Sequence, residues 1–288
     1  MNYLKMKIQV SRYSGFCSGV QKALKILDGI VQEGGKKAYT AGPIVHNPQV
    51  VEYYRQRGIE PLDETNSLPP DALVVIRAHG ITLAKRENLV RRGATVLDAT
   101  CALVHKVHEI IEAERAAGKF VYIAGSAEHP EVEVHLDLCR GRGMVLESAG
   151  DAVALKRLES PAALVAQTTF SDREFRRIRE ELIRRDPSIA VHDTICPTPR
   201  RAREYAGKLA EEVDVMLVVG GRSSSNTRRL AETCAAAGVA TYQVETAEEL
   251  RKEWFDGVEK IGVAAGTSTP PGSIDEIRAW LKREFDTL

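Results

Sequence analysis

The chain is short of several things, and each shortage excludes a class of protein. It has five cysteines, none of them in a Cys-x-x-Cys pair, which removes the main support for a zinc ribbon or a thioredoxin-type redox site. An odd cysteine count with no secretion signal speaks against a disulfide framework. The first ten residues, MNYLKMKIQV, mix charge with apolar side chains and lack the continuous apolar stretch of a signal peptide. No apolar run approaches the roughly 18–20 residues that cross a bilayer. Net charge is absent too, 40 basic residues balancing 40 acidic ones, so neither nucleic acid nor an anionic membrane is an expected partner. No GxxxxGK[ST] loop occurs, which excludes a Walker-type nucleotide site. What is left is a globular, cytoplasmic protein whose 288 residues, 43% hydrophobic, suffice to bury a substantial core.

What is present alternates. Continuous apolar runs at Ala38–Ala41, Ala72–Ile76, Phe120–Ala124, Ala162–Ala166, Val213–Val219 and Ile261–Ala265 predict strands covered on both faces. Between them apolar residues recur at spacings of three and four: Val20, Ala23, Leu24, Leu27 and Val31, then Leu103, Val107, Ile110 and Ile111, then Ala202, Tyr205, Leu209 and Val213. Strand and helix alternating along a whole chain predict an α/β architecture with largely parallel sheets.

Three cysteines divide that alternation. Cys17, Cys101 and Cys196 stand at nearly equal intervals, and each directly precedes a helical pattern. His46, His129 and Asn226 follow them at nearly one common offset, and His79, Thr168 and Ser268 follow at a second, longer one. The expectation is three similar α/β units, spanning 1–100, 101–192 and 193–288, in a pseudo-threefold trefoil. Ligands of open α/β sheets gather beyond the carboxyl ends of the strands, so such units would aim their polar groups at one central point. Cys139 and Cys234 fall outside the pattern and read as buried packing residues.

A cysteine at a helix N-terminus feels the positive end of the dipole, which favours the metal-binding thiolate. Three converging thiolates suit zinc or an iron–sulfur cluster, and three rather than four would leave one iron with an open position. The segments around them are rich in glycine and hydroxyls: GFCSGV, AHGI, EHPEV, QTTFS, GGRSSSNT and AGTSTPPGS. Together they suggest a cup of hydrogen-bond donors for a small anion, phosphate above all.

In order and spacing, Gly15-Phe16-Cys17-Ser18-Gly19-Val20, His46-Asn47, Ala78-His79-Gly80, Asp98-Ala99-Thr100-Cys101, His129-Pro130-Glu131-Val132, Gln167-Thr168-Thr169, Thr194-Ile195-Cys196, Ser224-Ser225-Asn226 and Gly266-Thr267-Ser268-Thr269-Pro270 resemble the IspH/LytB family of 4-hydroxy-3-methylbut-2-enyl diphosphate reductases. The resemblance runs over nearly the whole chain. It implies the trefoil fold with a central [4Fe–4S] cluster held by Cys17, Cys101 and Cys196, one iron staying open. It also implies that His46, His79, His129, Ser224, Ser225, Asn226 and Ser268 hold a diphosphate. Glu131 would deliver protons near the substrate hydroxyl, with Thr168 and Gln167 in the relay and His129 beside them. The reaction implied is reductive removal of an allylic hydroxyl, with electrons from ferredoxin or flavodoxin, to give isopentenyl and dimethylallyl diphosphate.

The residue types suit those roles. Hydroxide is a poor leaving group and needs an acid, which Glu131, expected on a strand-end loop, would be. A threonine hydroxyl both donates and accepts, as a relay member must. Departures from the family pattern are Ala102, Val134, Ala202-Arg203, Ser223, and Pro197 with Pro199. Val134 is expected to reshape the pocket near Glu131. Two other readings stay open here: a related iron–sulfur reductase of a different small substrate, and a non-enzymatic iron–sulfur sensor or anion binder.

Overall fold

The computed structural model describes residues 6–34, 37–45, 47–62, 68–69 and 71–285. Its strands are β1 (Lys7–Val10), β2 (Ala38–Thr40), β3 (Ile59–Pro61), β4 (Leu73–Ile76), β5 (Thr95–Asp98), β6 (Phe120–Ala124), β7 (Gly143–Leu146), β8 (Ala162–Ala166), β9 (Ala190–Val191), β10 (Val215–Val219), β11 (Ala240–Val244) and β12 (Lys260–Ala265). Its α-helices are α1 (Ser18–Glu33), α2 (Pro48–Arg55), α3 (Leu83–Arg91), α4 (Ala102–Ala116), α5 (Pro130–Cys139), α6 (Ala149–Ala154), α7 (Asp172–Arg185), α8 (Pro197–Ala210), α9 (Ser225–Ala236) and α10 (Pro271–Phe285).

The strands form three four-stranded sheets, every pairing parallel: β3-β2-β4-β5, β7-β6-β8-β9 and β11-β10-β12-β1. The expected α/β class with three similar units is therefore the one observed. The six apolar runs of the sequence are the two inner strands of each sheet, and all six strands without such a run are edges. Physics explains the split. Inner parallel strands are covered on both faces, so β8 and β10 are buried at every position, whereas the edges β5 and β9 have no fully buried residue.

The sheets also correct the phase of the repeat. Written in the same order, their fourth strands are β5, β9 and β1, so the chain's own beginning completes the sheet built from its end. Lys7 through Val10 run in register with Lys260 through Val263. Each fourth strand leads into a cysteine and then a helix, and each cysteine is tied to the sheet before it. The amide of Cys101 donates to Ala78 O (3.0 Å), that of Cys196 to Thr168 O (2.7 Å) and that of Cys17 to Thr267 O (3.1 Å). Each cysteine thus lies between the fourth strand of one sheet and the helix that follows it.

The chain divides into two compact bodies. One comprises Met1–Gln21, Val45–Tyr53 and Pro197–Leu288 and carries the sheet containing β10; the other comprises Lys22–Ile44 and Tyr54–Cys196 and carries the other two. In the second body, α7 shows how helices meet the sheet. Ser171 caps it, acidic residues open it and arginines close it, as the helix dipole favours. Its inner face buries Phe175, Ile178 and Leu182 against Tyr122, Leu164 and their neighbours. Each such side chain contributes about 1.5–3 kcal/mol. In the first body, Leu217, Val263, Ile277 and Leu281 form the corresponding core. Among the described residues no helix is long and apolar enough to cross a membrane.

Candidate functional site

Three tight turns follow the third strands of the sheets. Gly80 N–H closes onto Arg77 O, Phe170 N–H onto Gln167 O, and Thr269 N–H onto Gly266 O, each at 3.0 Å. These turns present His79, Thr169 and Ser268 at one equivalent position, and Ala78, Thr168 and Thr267 at the position before it. Spacing had grouped Thr168 with His79 and Ser268; the turns show that Thr169 is their counterpart, one residue on.

In the second body the acid is assembled from two elements. α5 begins with His129 as N-cap, whose Nδ1 accepts the Glu131 amide at 3.2 Å, and with Pro130 at the first position, where a missing N–H costs nothing. With Nδ1 accepting, the neutral ring carries its proton on Nε2 as a donor. His79 meets His129 edge to face, centroids 5.2 Å apart. Glu131 is in the first turn of α5 and has no exposed surface, not on a strand-end loop as expected. Both its oxygens face Thr168, whose amide donates to Oε1 at 2.6 Å and whose hydroxyl donates to Oε2 at 2.7 Å. Burial pushes the carboxyl up to about 7, against the opposing pull of those two hydrogen bonds. Through its carbonyl, Thr168 also holds the Cys196 amide.

Gln167 stands apart from the pair. Its Oε1 accepts the Ser126 amide (3.1 Å) and its Nε2 donates to Thr169 Oγ1 (2.8 Å), so the side chain braces the loop leading to α5. Gly125 permits that approach: a Cβ there would lie 2.7 Å from Val132 and 3.1 Å from Gln167 Cβ. Val134 is buried in the cluster with Val132 and lines a cavity of about 490 Å³ with Arg77, Gly80 and Lys85. Glu131 is not among that cavity's lining.

The first body repeats the arrangement with different chemistry. Ser224 caps α9, accepting the Thr227 amide at 3.3 Å, and Asn226 occupies the place that Glu131 has in α5. Its Nδ2 donates to Thr267 Oγ1 at 3.2 Å, as Glu131 pairs with Thr168. Asn226 Oδ1 and Ser268 Oγ are buried without a hydrogen-bond partner among the described residues. Buried polar atoms are nearly always satisfied, so an orphan in the first turn of α9 and another in the turn that holds Thr267 are atoms that could serve a ligand. Reversing the Asn226 amide lets Thr267 donate to Oδ1 and turns the NH2 outward as a donor for an anion. His46 lies outside the described residues.

Cys17, Cys101 and Cys196 are half-buried, each beside the first turn of a helix, and Cys101 caps α4 without a capping hydrogen bond from its side chain. No three His, Cys, Asp or Glu among the described residues gather closely enough to hold a single metal ion. A cluster asks for something else: one soft thiolate for each iron, a requirement cysteines at helix N-termini fit. Cys139 and Cys234 are buried, and burial pushes their thiols up to about 12 and about 11, as inert packing residues require. Pro197 and Pro199 lie in the first turn of α8, where proline is tolerated. The spacing did not single out Thr267, which pairs with Asn226, nor His135, which adjoins Glu131 with its Nε2 3.8 Å from Oε1. The latter could have been found, since it follows Glu131 by one helical turn.

A buried carboxyl kept protonatable near neutrality does nothing for stability that an apolar residue would not do better, and the class it points to is an α/β enzyme. The LytB protein family profile matches residues 8–282, and the chain belongs to that family. Relatives named 4-hydroxy-3-methylbut-2-enyl diphosphate reductase include that of Geotalea uraniireducens, 38% identical over 272 residues, covering 94% of this chain and 95% of the relative. A solved structure of (E)-4-hydroxy-3-methyl-but-2-enyl diphosphate reductase, the terminal enzyme of the non-mevalonate pathway, is 38% identical with a TM-score of 0.74, covering 96% of this chain and 99% of that one. The Plasmodium falciparum reductase, 24% identical, shares the fold with a TM-score of 0.91 over 96% of this chain and 88% of its own.

Proposed function

We propose that the protein is a cytoplasmic oxidoreductase that reduces 4-hydroxy-3-methylbut-2-enyl diphosphate to isopentenyl and dimethylallyl diphosphate, taking up two electrons and two protons and releasing water. The observation that carries this reading is the Glu131–Thr168 pair: a fully buried carboxyl, raised to about 7, with both oxygens on one threonine. Cys17, Cys101 and Cys196 would hold a [4Fe–4S] cluster with one open iron, which when bound supplies single-electron transfer and Lewis acidity. Its electrons come from ferredoxin or flavodoxin.

The chain's own residues bind and move protons. Ser224, Ser225, Asn226 and Ser268, with His46, His79 and the Nε2 of His129, hold the diphosphate, anchoring the substrate so that its hydroxyl end is positioned for reaction. With Glu131 protonated, its bond to Thr168 reverses: Oε2–H donates to Oγ1, and the threonine hydroxyl is released to donate to the leaving oxygen. Gln167 keeps the loop in register. A sensor would gain nothing from this arrangement. The test is anaerobic turnover of iron-reconstituted protein with a one-electron reductant and the hydroxylated diphosphate. Formation of the two dehydroxylated diphosphates is expected; an intact cluster with no product would overturn the substrate assignment.

A further inference from the structure

Glu131 is buried, yet each turnover draws two protons, so its carboxyl must be refilled from somewhere. One turn along α5, His135 has no exposed surface, and its Nε2 is 3.8 Å from Glu131 Oε1. Neither ring nitrogen of His135 has a hydrogen-bond partner among the described residues. Across the α4–α5 contact, His108 meets His135 edge to face, centroids 5.5 Å apart, and its own Nε2 is likewise buried without a partner. His108 is half-buried and packs under the turn that carries His79: a Cβ on Gly80, whose φ is +80°, would lie 3.2 Å from His108 Cε1. Three orphaned imidazole nitrogens in one row are hard to explain as packing, because each destabilises the fold and a phenylalanine would fill the same space without them.

The charged and titratable groups around the row are few. Glu131, His129 and His108 face His135, while His105 and Asp98 flank His108. Burial above all, with His108 and His129 adding to it, pushes His135 down to about 3, and burial with His105, against the opposing pull of Asp98, pushes His108 down to about 4, so both are neutral in the working range. A neutral imidazole can take a proton on one nitrogen as it releases one from the other, without holding a lasting charge.

We infer that His135 and His108 form a proton-supply path that restores the acid form of Glu131 between turnovers. Nothing is oxidised or reduced in this step. Solvent supplies a proton at His108, which passes one on to His135 Nδ1 as His135 releases one from Nε2 to Glu131 Oε1; a half-turn of the carboxyl then brings that proton to the Thr168 hydroxyl, and a flip of each neutral ring restores its starting tautomer. The gap between His135 Nε2 and Glu131 Oε1 closes to hydrogen-bond length by a small ring rotation, as resting-state proton contacts often do. His135 is thus a positioning residue that acts through Glu131.

This inference rests on the proposed reductase activity, and its test separates the two. Wild type, His135→Phe and His135→Ala are compared as reconstituted holoenzyme, together with the infrared band of the protonated Glu131 carboxyl. The path predicts that His135→Phe loses about tenfold in kcat with KM unchanged and a larger solvent isotope effect, while its melting temperature holds or rises. It predicts too that imidazole partly restores His135→Ala and that the carboxyl band shifts in both variants. Unchanged kcat and isotope effect in His135→Phe would overturn it, as would a loss that imidazole leaves untouched. If His135→Phe does not fold, His108→Phe, on a half-buried position, must show the same kinetic losses. A wild type inactive on the diphosphate would sink the reductase reading, whereas an unshifted carboxyl band would sink the histidine path alone.

Discussion

Replacing Glu131 by glutamine should make the protein more stable above neutral pH and leave it unchanged in acid. Burial raises the carboxyl from an ordinary 4.5 to about 7. Between those values the native state keeps a proton that the unfolded chain has released. Wild-type stability therefore falls as pH rises through this window and levels off above it. At about 1.4 kcal/mol per tenfold change in proton affinity, the loss is about 3 kcal/mol. Glutamine reproduces the protonated acid: Oε1 still accepts the Thr168 amide, and Nε2 donates to the Thr168 hydroxyl. The difference between variant and wild type should thus be near zero at pH 4.5 and grow to about 3 kcal/mol by pH 8, or about 6–12 °C in melting midpoint. Thermal unfolding of both proteins across that range measures it, other groups cancelling in the difference. A difference that stays flat with pH, or a glutamine variant less stable at pH 8, would refute a buried, proton-retaining carboxyl. Reduction should meanwhile fall by about 10²–10⁴-fold.

Thr168→Val keeps the amide bond to Oε1 but strips Oε2 of its partner; it should destabilise by about 1–3 kcal/mol in chemical denaturation and lower kcat more than it changes KM. Ser268→Ala removes an orphaned buried hydroxyl, so stability should hold or rise while affinity for the diphosphate, measured by calorimetry, drops about 10–100-fold. Cys101→Ala should abolish cluster iron in anaerobic reconstitution, whereas Cys139→Ala should keep it and lose only stability, since that thiol is buried in a core cluster.

The sequence made the inner strands legible and hid the edges. An inner run such as Phe120–Ala124 is apolar throughout because helices cover both of its faces, while Thr95–Asp98 or Gly143–Leu146 half-faces solvent and reads as loop. The cysteine-to-helix junctions were legible because a local signal carries them. The phase of the repeat was not, since the pairing of Lys7–Val10 with Lys260–Val263 joins the first strand to the last, a contact that no local pattern encodes. The same blindness put Glu131 on a loop. His-Pro-Glu is a cap, a first-turn proline and an acidic residue of the first turn, which is a helix start. Its burial depends on Thr168, 37 residues away.

Correct phasing turns separate residues into one motif used twice. α5 and α9 each offer a cap and a first-turn polar side chain that bonds to the threonine after a sheet's third strand: Glu131 to Thr168, Asn226 to Thr267. The backbone frame is the same, down to the cysteine amide held by the threonine carbonyl. Only the ionisable character differs, and that difference divides the labour. A carboxylate at the Asn226 position would repel an anionic ligand, while an amide at the Glu131 position could bind but not give up a proton. On the proposed reading, divergence at one atom pair, carboxyl oxygen against amide nitrogen, would let one repeated scaffold supply both an anion holder and an acid. The proposed role of His135 is consistent with this: it belongs to the α5 copy alone, since α9 has Arg229 three residues and Leu230 four residues after Asn226, and a group that only holds an anion would have no proton to replace.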